Sequence, residues 1–150
     1  MREMILDGQV VPLRFTVLDS APDGLALGPD TAIPLTDWLR LREVGAPLDG
    51  VGVVVRGDED VAPLRAHLSD VPFVALPLPK FTDGRVYSHA VRLRRLWGYG
   101  GTILVTGDVL RDQLLYLARS GANAFVLRED QDPRASLAAF SLYTEHYQYR

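Results

Sequence analysis

The sequence predicts an α/β protein with a mostly parallel sheet. Three observations carry that expectation. After Gly50, short apolar runs alternate four times with amphipathic stretches of helical period. The runs are dense in β-branched residues and lack a polar face, the pattern of strands covered on both sides. A segment before them, residues 10–17, alternates instead and contains a proline, as an edge strand does. Repeated strand–helix alternation implies parallel strands joined by right-handed crossovers. An open doubly wound sheet is the first expectation. A partial (β/α) barrel is the alternative, because four such units are half of eight.

The elements follow in order. Val11, Leu13, Phe15 and Val17 share one side of the N-terminal edge strand, and Pro12 lacks an amide hydrogen to donate. Residues 19–30 are rich in Gly, Pro and Asp and read as a loop. Thr36 reads as the N-cap of a short helix through Trp38 and Leu41 that ends near Gly45. Val51, Val53, Val54 and Val55 form the next strand. Val61, Leu64, Arg65 and Leu68 stand at helical spacing. Phe73–Leu78 is a strand, and Ser88–Trp97 a helix with Ala90, Leu93 and Trp97 on one stripe. Thr102–Val105 is a strand and Val109–Arg119 a helix, with Gly121 closing it. Ala124–Leu127 is the last strand. A final helix is expected from Pro133 to about Tyr143, with Asp132 as its N-cap.

Composition limits what such a domain can do. The chain has 150 residues, 47% of them hydrophobic and 23% charged, and no cysteine. That length suits one domain spanning 1–150. The lack of cysteine excludes disulfides, thiol redox chemistry and cysteine-held metal on this chain. His67, His89 and His146 lie far apart without metal-binding spacing, so no metal site and no bound cofactor is expected. The net charge of −3 gives no reason to expect nucleic-acid binding. No apolar run is long enough for a membrane span, and no signal peptide is evident, so the expected location is cytoplasmic. Residues 85–119 carry six basic and two acidic side chains, against four and eight in residues 1–50. That basic segment could serve a small anion or an acidic partner.

In parallel α/β folds, ligands sit beyond the carboxyl ends of the strands. Four segments occupy such places: Arg56–Asp58, Lys80–Arg85, Thr106–Asp108 and Arg128–Asp130. The expected ligand-binding residues are Lys80, Asp83, Arg85, Ser88, Asp108 and Arg111. An arginine fork can hold a carboxylate, sulfate or phosphate in two bonds, and a lysine adds a point charge. Asp83 with Gly84 marks a turn. Asp108 reads first as the N-cap of the helix that follows it. Arg92, Arg94 and Arg95 read as a solvated helix face, and His89 as a surface histidine. Phe140, Tyr143, His146, Tyr147 and Tyr149 could form an aromatic contact with a second copy, a possible homodimer. Gly98, Gly100 and Gly101 lie between a helix and a strand, the wrong side for a phosphate loop, and no standard nucleotide motif occurs.

The motifs Pro79–Ser88, Ala90–Leu93, Gly98–Tyr99, Gly107–Gln113 and Arg119–Phe125 resemble a bacterial family catalogued as domain of unknown function 934. The resemblance implies a place beside sulfite reductase in assimilatory sulfate reduction, as a noncatalytic accessory or assembly protein. Some members carry an oxidoreductase label, so a flavin-dependent reductase is a further alternative. A small-anion-binding enzyme or sensor is another, with Lys80, Arg85 and Asp108 at its centre. Two departures weigh against catalysis. Ser120-Gly121-Ala122-Asn123 stands where the family often has Cys-Gly-Phe-Asp, and serine without a base is a poor nucleophile. Gly101-Thr102-Ile103-Leu104 replaces the usual Gly-Glu-Leu-Arg.

Overall fold

The computed structural model describes residues 2–22, 27–80 and 84–138. Its strands are β1 (Glu3–Leu6), β2 (Gln9–Pro12), β3 (Thr16–Val17), β4 (Thr31–Pro34), β5 (Gly52–Val54), β6 (Phe73–Leu78), β7 (Thr102–Gly107) and β8 (Ala124–Phe125). They form one sheet in the order β2-β1-β8-β7-β6-β5-β4-β3. From β3 to β8 every neighbouring pair is parallel; β1 runs antiparallel to both β2 and β8. The fold is therefore α/β with a mostly parallel sheet. The parallel strands never reverse their order, so the sheet is not doubly wound. With every crossover of the same hand, the helices collect on one side.

Connectivity forces this sheet to curl. β2 and β3 lie on opposite edges, separated along the chain by residues 13–15 alone. A flat eight-stranded sheet would hold its edge strands about 33 Å apart. The four-residue step from Pro12 to Thr16 reaches at most about 14 Å. The edges must come together, and the single strand expected over 10–17 does the joining. Its first part hydrogen-bonds β1, and the Leu13 amide continues that ladder to the Arg2 carbonyl at 3.0 Å. Its second part joins β4, through the Thr16 amide to Asp30 and the Leu18 amide to Ala32, both at 2.9 Å. Pro12 sits where the ladder changes sides. The arrangement is the barrel-like alternative.

The two faces of the curled sheet differ. The outer face carries Ile33, Val53, Val74, Leu76, Ile103, Val105 and Phe125, packed under the helices through Trp38, Leu64, Val86, Leu93, Leu114 and Leu117. The inner face carries Met4, Phe15, Ala32, Val54, Phe73, Ala75, Leu104, Ala124 and Val126, with Val11, Leu13 and Val17 beside them. No helix residue belongs to that inner group. Small residues there leave room for Phe15 and Phe73, whose ring centroids lie 4.5 Å apart. A Cβ on Gly52 would fall 2.6 Å from the Phe73 ring, so this glycine is part of the inner packing.

Helix details depart from expectation in physical ways. Helix α1 (Leu35–Glu43) begins behind Pro34 without a side-chain cap, and Thr36 lies inside its first turn. The segment Ala62–Asp70 is a 3₁₀ helix with Pro63 at its start, rather than an α-helix. Helix α2 (Gly84–Val91) starts before the expected Ser88 and runs into a π turn over Arg92–Leu96. The expected helix over 109–119 is a 3₁₀ turn, Arg111–Gln113, followed by α3 (Leu114–Ser120). Gly121 closes α3 with φ +125°, as expected. The final helix is helical over 133–138, and Asp132 Oδ1 accepts the Arg134 amide at 3.1 Å. Its continuation and the C-terminal aromatic cluster lie outside the described residues.

Candidate functional site

The inner face is plugged at the amino ends of the parallel strands and open at their carboxyl ends. Two cavities occupy that mouth. One, of about 550 Å3, lies among Val17, Asp19, Val54, Arg56, Asp58, Pro77, Leu78, Pro79, Arg85 and Thr106. The other, of about 440 Å3, lies among Arg2, Leu13, Phe15, Val17, Leu104, Thr106, Gly107, Val126, Arg128 and Glu129. Val17 and Thr106 line both, so the cavities adjoin across them. Volumes of this order suit small metabolites. All four strand-end segments singled out in the sequence contribute residues to this mouth.

Arg56 follows β5 and is held by its main chain. Its amide donates to Glu59 Oε1 at 2.8 Å, and its carbonyl accepts from His89 Nε2 at 2.9 Å. Among the described residues its guanidinium pairs with the carboxylate of Asp19 at 3.2 Å, a side chain that is 97% exposed. His89 is buried, contrary to the surface placement expected for it, because α2 turns this face onto the loop after β5. A carbonyl acceptor fixes its Nε2 as the protonated nitrogen. Nothing in the residue types alone signals this His89–Arg56 link, because it joins positions 33 apart.

Arg85 lies in the first turn of α2 and reaches the larger cavity. Lys80 is exposed beside Pro79 at the rim. Ser88 is exposed and its hydroxyl donates back to the Gly84 carbonyl at 3.3 Å, a bond within its own helix. Asp83 lies outside the described residues.

Asp108 is not the helix cap. The cap position falls at Leu110, whose amide donates to Gln113 Oε1 at 2.9 Å. The Asp108 carboxylate instead faces Arg128 at 3.4 Å. Gly107 aims it there: its φ is +94°, and a Cβ would collide with the Leu78 carbonyl, so only glycine fits. Arg128 is chiefly engaged elsewhere, in a two-bond fork with Asp130 at 2.6 Å per bond. That fork raises the Arg128 pKa and holds the Asp130 carboxyl below its ordinary value. Arg111 does not line the mouth; it lies in a neighbouring surface recess with Asp112, Asp130 and Gln131, which shares Arg128 with the mouth. Of the six expected site residues, the five that are described are thus divided, with Arg85 at the mouth, Lys80 at its rim, Asp108 facing Arg128, and Ser88 and Arg111 at other surface positions.

The opposite end of the sheet contains a second polar cluster, and sequence reading missed it. Arg94, expected on a solvated face, reaches Gly121 O at 2.9 Å, Tyr99 O at 2.7 Å, Gly101 O at 2.8 Å and Asn123 Oδ1 at 3.1 Å. Asn123 Oδ1 also accepts the Ile103 amide at 2.8 Å, while its Nδ2 donates to Asp7 at 2.9 Å. Tyr99 donates to the Val71 carbonyl at 2.6 Å, and burial pushes its phenol pKa upward. This cluster ties the amino ends of β7 and β8 together. Residues at that end of a β/α barrel serve stability, while the carboxyl end serves ligands.

Among the described residues, no group of three or more His, Asp or Glu side chains converges as a metal-ligand set. No helix among them is long and apolar enough to cross a membrane.

Fold and mouth together define a curled, barrel-like α/β protein with its open cavity at the strand ends. The chain belongs to the family described as bacterial protein of unknown function (DUF934), whose model matches residues 52–150. It is also similar to an anhydro-N-acetylmuramic acid kinase of Bordetella petrii, at 32% identity over 118 residues. That stretch is 78% of this chain and 31% of the kinase, so the chain spans under a third of that relative's length. No solved structure matches it significantly.

Proposed function

We propose that the protein binds a small organic or inorganic anion at the strand-end mouth, held by Arg56 and Arg85. The supporting observation is that both guanidinium-bearing residues line one cavity together with Thr106. The exposed Arg56–Asp19 pair is worth at most about 1 kcal/mol, so a bound anion can replace Asp19. The Arg56 backbone stays fixed meanwhile, between Glu59 and His89. Charge-assisted bonds to a ligand are worth about 1.5–3 kcal/mol each.

The resemblance to sulfite-reductase-associated proteins directs the choice of anion to sulfur oxyanions, in a cytoplasmic accessory or sensing role. The kinase relative adds phosphorylated sugars, and the oxidoreductase label adds flavins. A second reading, a docking contact with a sulfur-assimilation protein, draws on exposed Leu96 and Tyr116, which are 69% and 63% accessible on the helix side.

The test is a thermal-shift and calorimetric panel of sulfite, sulfate, sulfide, adenosine phosphosulfates, phosphorylated sugars, nicotinamides and flavins. Ligand at 100 times its Kd stabilises the fold by about 2.7 kcal/mol. For a domain of this size that raises Tm by roughly 5–11 °C. Arg85→Ala should weaken binding by about one to two decades. Equal affinity in folded R85A refutes the assignment.

A further inference from the structure

The mouth has two adjoining parts, and charged and apolar side chains line both. Around Arg56 and Arg85 the lining also carries Asp19 and Asp58, with Val54, Pro77 and Leu78 among them. Beyond Val17 and Thr106 it is mainly apolar, formed by Leu13, Phe15, Leu104 and Val126. The cations at that second end already have partners. Arg2 donates to the Leu127 carbonyl at 2.9 Å, and Arg128 is forked onto Asp130 and faces Asp108. Between these paired cations the inner wall offers hydrocarbon.

Strand register explains the arrangement. Leu13, Phe15 and Val17 alternate inward along the joining strand, opposite Leu104 of β7 and Val126 after β8. Below them Phe15 packs against Phe73, with the ring planes tilted by 41°, and fills the interior. A ligand entering the mouth therefore lies across it rather than passing down the barrel.

We propose that the ligand is an amphipathic anion, with a sulfonate-, sulfate- or phosphate-type head at Arg56 and Arg85 and an apolar body over Leu13, Phe15, Leu104 and Val126. The inference rests on the anion-binding reading above and adds the direction and chemical character of the ligand's body. Thr106, shared by both cavities, stands at the junction, where its hydroxyl can meet the head and its methyl the body.

The test is a calorimetric series of linear alkanesulfonates from methane- to hexanesulfonate on the intact protein. Each methylene that leaves water should tighten binding about fourfold, at one ligand per chain, until the apolar end is filled. Leu13→Glu places a carboxylate at that end. It should remove the gain with length, so that hexanesulfonate binds the variant no more tightly than methanesulfonate does. Leu13 is only half-buried, and Val126→Phe, which fills the end instead, supplies a second variant with the same expected outcome. A length-independent affinity that still falls in R85A overturns the proposal while the anion site stands. Long chains that bind equally well to R85A overturn the head assignment. No binding of any member at saturating concentration overturns both readings.

Discussion

Replacing Arg94 with methionine keeps the length and apolar stem of the side chain and removes its guanidinium. Four acceptors then lose a donor: the carbonyls of Gly121, Tyr99 and Gly101, and Asn123 Oδ1. A hydrogen bond from a charged donor contributes about 1.5–3 kcal/mol, and an acceptor left buried costs about 1–3 kcal/mol. The four bonds do not add, because they share one side chain and water reaches part of this half-buried site. We expect a net loss of about 3 kcal/mol, a large share of the 5–15 kcal/mol that holds a typical domain. At about 2–4 °C per kcal/mol for a chain of this size, Tm falls by roughly 6–12 °C. Urea denaturation followed by circular dichroism reads the free energy directly. Arg92→Met, on the exposed side of the same π turn, is the control and should change stability by less than about 0.5 kcal/mol. A loss below about 1 kcal/mol in R94M, or an equal loss in R92M, would refute the view that Arg94 ties β7 to β8.

Tyr99 predicts a pH dependence. Its phenol is held protonated by burial, so its folded pKa lies above the ordinary 10.0. The unfolded chain releases that proton first, and stability therefore falls as pH rises above about 10, by up to about 1.4 kcal/mol per pH unit. Tyr99→Phe should cost about 1–3 kcal/mol at neutral pH, because it orphans the Val71 carbonyl. It should also flatten the alkaline limb; a limb as steep as the parent's in a pH series of urea melts assigns that loss to other groups. Gly52→Ala tests the inner packing. The new methyl meets the Phe73 ring, for a cost of about 1–3 kcal/mol. Adding Phe73→Leu should recover part of that loss, and a double-mutant cycle with no coupling would show that the ring does not press on Gly52.

Much of the fold is legible in the sequence because burial writes itself as pattern. Strand β6 was expected over Phe73–Leu78 and occupies those residues. The inward set Val11, Leu13, Phe15 and Val17 is visible from its period of two. The curl is not visible, because it arises from pairing the two halves of one strand with β1 and β4, neighbours remote in sequence. Short-range propensity also misassigns helix starts. Thr36 and Asp108 carry good capping groups, yet Pro34 and the Leu110–Gln113 bond set the actual boundaries.

The same distinction governs the candidate site. The rule that places ligands at strand ends finds the mouth, since it depends only on the order of strands and helices. It finds Arg85 and the Arg56 segment for the same reason. Ser88 and Arg111 share that neighbourhood in sequence, but the helical rotation of α2 and the turn before α3 carry them elsewhere. His89 and Arg94 were read as surface groups because charged and polar residues usually are. Their carbonyl partners, on Arg56, Tyr99, Gly101 and Gly121, leave no trace in residue type.

Anion binding at the carboxyl-end mouth and structural anchoring by the amino-end cluster are separable in one experiment. A titration of nitrogen-15-labelled protein with sulfate and butanesulfonate, followed by amide chemical shifts, tests both halves at once. Saturable shifts are expected at Val17–Asp19, Arg56–Asp58 and Thr106–Asp108, with Gly98–Gly101 and Gly121–Asn123 unmoved. Shifts centred on Arg94 and Asn123, or no saturable shift at the mouth with either anion, would contradict that assignment.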